Sequence, residues 1–154
     1  MLHRTEEGLR AANAGLALNP GSALLYHASA VAKNQTGMYA EAKSDVLHAI
    51  QLSPRDPNLG VWQSTLTASD IGLEHFNDAI DDSHRAIDAG YRTFPVYSNL
   101  AVACAMSNRI DDARAAVAEA LKLNPKYSVK LMSERYHKPP AILEALRKAG
   151  VPEE

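Results

Sequence analysis

The chain has 154 residues, of which 46% are hydrophobic, 6% aromatic and 22% charged, a balance typical of one globular domain. Its 16 basic and 18 acidic residues give a net charge of −2 without any basic run. This disfavours a nucleic-acid-binding protein, which needs a positive surface. The single cysteine, Cys104, excludes an internal disulfide framework and favours a reducing, cytoplasmic compartment. No stretch approaches the roughly 20 apolar residues of a membrane span, so no membrane contact is expected.

The first predicted element is a helix from Thr5 to Leu18, with Gly8, Ala12 and Gly15 at its packing positions. No partner helix precedes it, although an amphipathic helix needs a neighbour to cover its apolar face. Two arrangements would supply that neighbour. Either the chain is a fragment of a longer protein and begins within a repeat, or this helix packs on a second copy of the chain.

The short motif that ends this helix recurs along the chain. A leucine is followed by Asn19-Pro20, by Ser53-Pro54 and by Asn124-Pro125, and Pro54 lies 34 residues after Pro20. A degenerate copy ends at Tyr91, 34 residues before Pro125. The interval between Pro54 and Tyr91 is 37 residues, and its three extra residues fall in turn-forming sequence around Pro57. The sequence therefore contains an internal repeat of about 34 residues.

Each full repeat has two apolar stripes at helical spacing, separated by a breaker. In the copy that ends at Pro54, the second stripe is Ala42, Val46 and Ala49, and the breaker surrounds Gly37. Small residues at these positions let two helix backbones approach closely. The pattern predicts antiparallel helical hairpins that bury their apolar faces against the next hairpin.

This unit resembles the tetratricopeptide repeat. The resemblance rests on two copies in register, through Tyr26, Ala30, Gly37, Tyr39, Ala42, Val46, Ala49 and Pro54 in one copy and Tyr97, Leu100, Ala101, Ile110, Ala113, Val117, Ala120 and Pro125 in the other. Lys33 and Cys104 depart from it, because they replace an expected aromatic residue. The copy that ends at Tyr91 keeps few motif residues, namely Phe76, Ala79 and Ala86, and a weak first helix around Trp62 and Leu66.

The resemblance implies an all-α, right-handed α-α superhelix that forms a single domain. Its predicted units are a half repeat over 4–20, a repeat over 22–56, a degenerate repeat over 58–91, a repeat over 94–127 and a tail over 128–154. Within the tail, prolines at 139 and 140 open a capping helix over about 140–149, which Gly150 and Pro152 end. We expect this helix to seal the apolar side of the last repeat.

The tail also resembles the C-terminal tails of tetratricopeptide regions in bacterial signalling proteins. These include class III adenylate and guanylate cyclases and winged-helix regulators. The resemblance, which covers the whole tail including its end from Leu146 to Glu153, implies a regulatory or oligomerisation module that follows another domain.

The best metal-like cluster in the sequence runs from His75 to His84. His75, Asp78 and Asp82 share one helical face at i, i+3 and i+7. Because Phe76 and Ala79 are needed for packing, we expect the acids on the solvated side of the helix and predict no metal site. A metal or small-ligand binder that uses Asp78, Asp82 and His84 is kept as an alternative function.

No motif in the sequence predicts catalysis. Cys104 falls at a core position, where a buried and inert thiol is expected. Neither a glycine-rich phosphate loop nor an HExxH or CxxC spacing occurs. We therefore predict that the chain is not an enzyme and has no cofactor.

In the family that the chain resembles, the first helix of each unit lines a concave peptide-binding surface. The resemblance places twelve candidate partner-binding residues there: Leu24, His27, Val31, Asn34, Gln35, Val61, Ser64, Ala68, Ser98, Asn99, Val102 and Met106. One family subtype binds C-terminal carboxylates through Lys, Arg and Asn. The corresponding positions here hold His27, Ser64 and Ser98, although Asn99 is retained, so this subtype is disfavoured.

The predicted function is a scaffold for protein–protein contact, in a bacterial signalling protein. Its expected partner is a protein or a peptide, and another part of the same polypeptide or another copy of it are among the candidates. The expected groove is mildly apolar and nearly uncharged, which suits a helix bound in a groove. A free-standing adaptor that self-associates is the alternative.

Overall fold

A computed structural model describes residues 2–135 and 138–154, with the side chains of residues 2–4 excepted. The described residues form helices and connecting turns without a strand. The helices are α1 (Leu2–Leu18), α2 (Ala23–Gln35), α3 (Tyr39–Leu52), α4 (Leu59–Gly72), α5 (Phe76–Asp88), α6 (Phe94–Met106), α7 (Ile110–Leu123), α8 (Val129–Glu134) and α9 (Pro140–Lys148). In this part of the chain, none of the helices has both the length and the apolar character of a membrane span.

Three hairpins follow one another, α2–α3, α4–α5 and α6–α7, and each packs on the next. The inner helices α2, α4 and α6 also contact one another in turn, whereas α3, α5 and α7 are spaced more widely. This difference curves the stack, with the inner helices on its concave side. The all-helical superhelix expected from the repeat is confirmed.

The three hairpins turn in the same way. A residue with positive φ follows the first helix of each one: Gly37 (φ 80°), Glu74 (φ 60°) and Asn108 (φ 58°). The next amide then donates to a carbonyl five residues back, for example from Met38 to Lys33 at 2.9 Å. This left-handed turn satisfies carbonyls that the helix end leaves free and reverses the chain direction.

Two buried clusters divide the interior. The first, the N-terminal cluster, contains Ala30, Ala42, Val46, Ala49, Trp62 and Leu66. The second, the C-terminal cluster, extends from Ile71 through α6 and α7 to the tail. Ala30, Ala42 and Ala49 are fully buried, because the helices cross at close range over these small side chains.

The tail turns back onto the last hairpin. Helix α9 packs on α6, the inner helix, and its Ile142 and Leu146 join the C-terminal cluster. The last residues then pair with the start of α8, where the amide of Val129 donates to the carbonyl of Pro152 at 2.7 Å. The tail therefore covers part of the concave side as well as the end of the stack.

Candidate functional site

The concave surface of α2, α4 and α6, here called the groove, contains two adjoining cavities. The first cavity, of about 500 Å³, lies over the middle of the three inner helices and reaches Met132 of α8. The second, of about 570 Å³, lies at the carboxyl ends of these helices and is bounded by the tail from Lys138 to Ile142. Both volumes fall in the range of sites that hold small ligands or peptide side chains.

Nine of the twelve predicted groove residues line these cavities. Eight of them line the first cavity: Val31, Asn34, Gln35, Val61, Ser64, Ala68, Ser98 and Asn99. Met106 lines the second cavity. The structure thus brings these side chains to one surface, and their contact with a partner stays a prediction.

Val102 was expected in the groove, and this prediction is wrong. Its exposed fraction is 0%, and it belongs to the same buried cluster as Ile142 and Leu146. Helices α4, α5 and α9 all pack on α6, so a residue of α6 can be covered from several sides. The sequence placed the capping helix at the end of the stack and did not predict this cover.

Leu24 and His27 line neither cavity. Leu24 is 65% exposed near the start of α2. The Nε2 of His27 lies 2.9 Å from the Oγ1 of Thr65, and its ring stands 6.1 Å from that of Trp62. Burial lowers the pKa of His27, which favours the neutral ring in this contact. His27 therefore joins α2 to α4.

Asn34 also has a structural role in the wall of the groove. Its Nδ2 donates to the carbonyl of Thr65 at 3.1 Å, and its Oδ1 accepts from the Oγ of Ser69 at 3.0 Å. These bonds use both ends of the side-chain amide. Asn34 thus holds α2 and α4 together and sets the width of the groove between them.

Six residues of the first cavity were not predicted from the sequence. They are Thr65, Tyr91, Phe94, Pro95, Met132 and Lys138. Thr65 lies four residues after Val61, so helical spacing could have indicated it. Met132 and Lys138 belong to the tail, and no repeat pattern predicts where the tail crosses the inner helices.

The acidic segment of α5 is arranged differently from the sequence prediction. A solvated position was expected for Asp82, but its side chain is only 3% exposed. It is buried because it lies against the buried Asp70 of α4. Burial raises the pKa of Asp82 to about 6, helped by a hydrogen bond with Asp70 and opposed by Arg85. A protonated Asp82 supplies a donor toward Asp70, whose Oδ2 has no other hydrogen-bond partner within the part of the chain that the structure describes.

The alternative metal trio is not assembled. In the described part of the chain, Asp78 groups with Asp70 and His75, while His84 lines a crevice beside Tyr97 and Cys104. The Nζ of Lys43 lies 2.5 Å from the Oδ1 of Asp70 and 3.4 Å from the Oδ2 of Asp78. A lysine ammonium thus occupies the space between these carboxylates.

Cys104 lies within the C-terminal cluster and is 1% exposed. Burial raises the pKa of its thiol, although the charge of Arg109 acts in the opposite direction. Because the thiolate is the nucleophilic form, this environment makes the side chain unreactive.

Comparison with known proteins identifies the repeat in one part of the chain. Residues 94–127 match the family model of the tetratricopeptide repeat. These are the residues of the α6–α7 hairpin and the turn that follows it. A search of curated protein sequences found no significant match.

Solved structures match nearly the whole chain. YrrB, described as a TPR protein with an unusual peptide-binding site, is 20% identical over 96% of this chain and 77% of that one, with a TM-score of 0.65. MamA from Desulfovibrio magneticus RS-1 is 16% identical over 94% and 83%, with a TM-score of 0.70. The fold is a tetratricopeptide-repeat solenoid.

A third solved structure holds a bound peptide. It is the first TPR of Spaghetti (RPAP3) bound to the HSP90 peptide SRMEEVD, and it is 19% identical over 83% of this chain and 90% of that one, with a TM-score of 0.64. At these identities the likeness concerns the solenoid fold.

Proposed function

We propose that the chain is a non-enzymatic scaffold that binds a peptide segment of a partner protein in its groove. The observation that carries this proposal is the first cavity, where Val31, Val61, Phe94 and Met132 form an apolar lining with amide and hydroxyl groups between them. Apolar walls with a few polar groups are typical of sites that bind by shape and orient their ligand by hydrogen bonds. YrrB and the RPAP3 domain, whose descriptions name peptide binding, share the fold.

The environments of the reactive side chains support a role without catalysis. Cys104 is buried, and its thiol is kept protonated. The carboxylates of Asp70 and Asp78 are paired with Lys43. These groups therefore serve packing and ion pairs.

We further propose that this scaffold is a regulatory or oligomerisation module at the C-terminal end of a cytoplasmic bacterial signalling protein. This part of the proposal rests only on the sequence resemblance of the tail. The partner is then another part of the same polypeptide, or a second copy of it. A free-standing adaptor that pairs through α1 is the alternative, supported by the exposed apolar side chains Leu18 and Leu24 at that edge of the solenoid.

Light scattering over a concentration series tests the self-association alternative. Pairing through α1 predicts a mass that rises from monomer to dimer with concentration. A Leu18→Lys variant should then keep the monomer mass at every concentration. A strictly monomeric wild-type chain would count against the alternative.

Substitution of Ser64 by leucine tests the groove as the peptide site. Ser64 is half-buried and lines the first cavity, so a larger side chain there should displace a bound peptide. For peptides selected from a display library on the wild-type chain, we expect affinity to fall by roughly ten-fold or more. Fluorescence anisotropy titration measures the change.

The matched control is Ser44→Leu. Ser44 is exposed on α3 and lines neither cavity of the groove, and the change in helix propensity is the same as at Ser64. Equal affinity of the two variants for the selected peptides would contradict the groove as the binding site.

A further inference from the structure

Lys138 lies where the two cavities of the groove meet. It lines both of them, together with Asn34, Gln35 and Ala68. Its backbone amide donates to the carbonyl of Met132 at 3.1 Å, which fixes the start of the segment that leads into α9. The tail thus carries a lysine to the surface formed by the inner helices.

The ammonium of Lys138 has no partner among the described residues. It takes part in none of the ion pairs or side-chain hydrogen bonds of residues 5–135 and 138–154, whereas Lys33 and Lys43 each pair with a carboxylate. It is also the one Lys, Arg, Asp or Glu side chain that lines the first cavity in that part of the chain. The first cavity therefore presents a single unpaired positive charge in apolar surroundings.

Burial lowers the pKa of Lys138. The physical cause is that the charged amine loses hydration without gaining a counter-charge. A wholly apolar partner that covered the groove would remove still more water from this ammonium. A partner that brings a carboxylate would instead offset the loss, because a charge-assisted hydrogen bond replaces the lost hydration.

Further hydrogen-bond donors lie along the same wall. The Oε1 of Gln35 accepts from the hydroxyl of Thr5 at 3.0 Å. Its amide nitrogen is a donor that makes no hydrogen bond with the described residues. Asn99 lines the first cavity, and its side chain makes no hydrogen bond with the described residues. On the other side, Phe94 and Met132 supply apolar surface. One region thus combines a cation, amide donors and an apolar wall.

We propose that Lys138 binds a carboxylate of the partner peptide, while an apolar side chain next to that carboxylate fills the first cavity. This inference rests on the proposed peptide-binding function and specifies its partner as a predominantly apolar segment that carries an acidic group. The cation comes from the tail, so the charge of the groove depends on α8 and α9 being in place.

Paired display libraries test the inference on the full chain. The two libraries have randomised apolar positions around one fixed residue, which is Glu in one library and Gln in the other. Both are selected on the wild-type chain, on Lys138→Met and on the control Lys126→Met. Lys126 is exposed and lines neither cavity, so its substitution removes the same charge elsewhere.

The expected result is enrichment from the Glu library on the wild-type chain and on Lys126→Met, with loss of that enrichment on Lys138→Met. A synthetic peptide from the enriched clones should bind the wild-type chain roughly ten-fold more tightly than its Glu→Gln form. On Lys138→Met, the two forms should bind within about two-fold of each other, because the two substitutions remove the same interaction. Forms with a free and with an amidated C-terminus show whether a terminal carboxylate serves equally well.

Two results would overturn the inference and leave the proposed function in place: equal enrichment from both libraries, or a Glu preference that persists on Lys138→Met. Enrichment from neither library would overturn the peptide-binding function as well. Circular dichroism and thermal melting check the fold of Lys138→Met. We expect an unchanged or raised Tm, because methionine keeps the apolar stem and removes a poorly hydrated charge.

Discussion

Replacement of Trp62 by alanine is expected to lower the free energy of unfolding by about 3–5 kcal/mol. Trp62 is 1% exposed and is the largest side chain of the N-terminal cluster. Its indole nitrogen makes no hydrogen bond with the described residues, so the loss comes from packing and from the cavity that the substitution leaves. Urea denaturation followed by far-UV circular dichroism measures the change.

The effect of Trp62→Ala should also be local. The structure separates the N-terminal cluster from the C-terminal cluster, and each unit of a solenoid contacts mainly its neighbours. The substitution should therefore raise the hydrogen-exchange rates of amides in α2, α3 and α4 more than those of amides in α6 and α7. The control is Leu47→Ala, at a 41% exposed position of α3, for which we expect only a small decrease in the free energy of unfolding. A uniform rise in exchange, or a loss below about 1 kcal/mol, would contradict this account.

Replacement of Asp82 by asparagine is expected to stabilise the protein at neutral pH. Burial raises the pKa of Asp82 from 3.8 to about 6 in the folded state, helped by Asp70. Between these values the folded state holds a proton that the unfolded state has lost, so the free energy of unfolding falls as pH rises from about 4 to about 6. Since one pKa unit corresponds to about 1.4 kcal/mol, the decrease approaches roughly 3 kcal/mol.

The asparagine side chain keeps a donor toward Asp70 and does not titrate. The ion pair with Arg85 is lost, but Arg85 is exposed and the pair contributes little. Urea denaturation should therefore show Asp82→Asn close to the wild type near pH 4 and more stable than it above pH 6, by about 2–3 kcal/mol. Asp81→Asn, at the exposed neighbouring position, should leave the pH dependence of the wild type unchanged. An Asp82→Asn variant with that same pH dependence would show that Asp82 ionises normally in the fold.

Much of the fold follows from local sequence. The recurring Leu-Asn/Ser-Pro phrase and the stripes of Ala42, Val46 and Ala49 predicted helical hairpins, because these features depend only on neighbours within about one turn of a helix. The predicted Thr5–Leu18 helix corresponds to α1, which begins earlier, at Leu2. Even the degenerate unit forms a hairpin, with Trp62 and Leu66 buried where the motif is weak.

The groove was predicted only in part from the sequence. The positions of Val31, Ser64 and Asn99 on the inner helices follow from the repeat, since equivalent positions face the same side of a solenoid. The burial of Val102 does not follow from the repeat, because it depends on how other helices, including α9 of the tail, pack around α6. The burial of Asp82 is a similar case, since its side chain meets Asp70 from a different helix.

Repetition within the sequence was enough to predict a stack of helical hairpins with small residues in its core and an inner, concave surface. Periodicity carries that information, because each repeat fixes its own helices and the face that they bury. The chemistry of the groove depends instead on packing between segments that are distant in sequence, which brings Lys138 and Met132 of the tail to the inner helices. The tail has no repeat to set its path, and its position results from the apolar contacts of Ile142 and Leu146 within the C-terminal cluster.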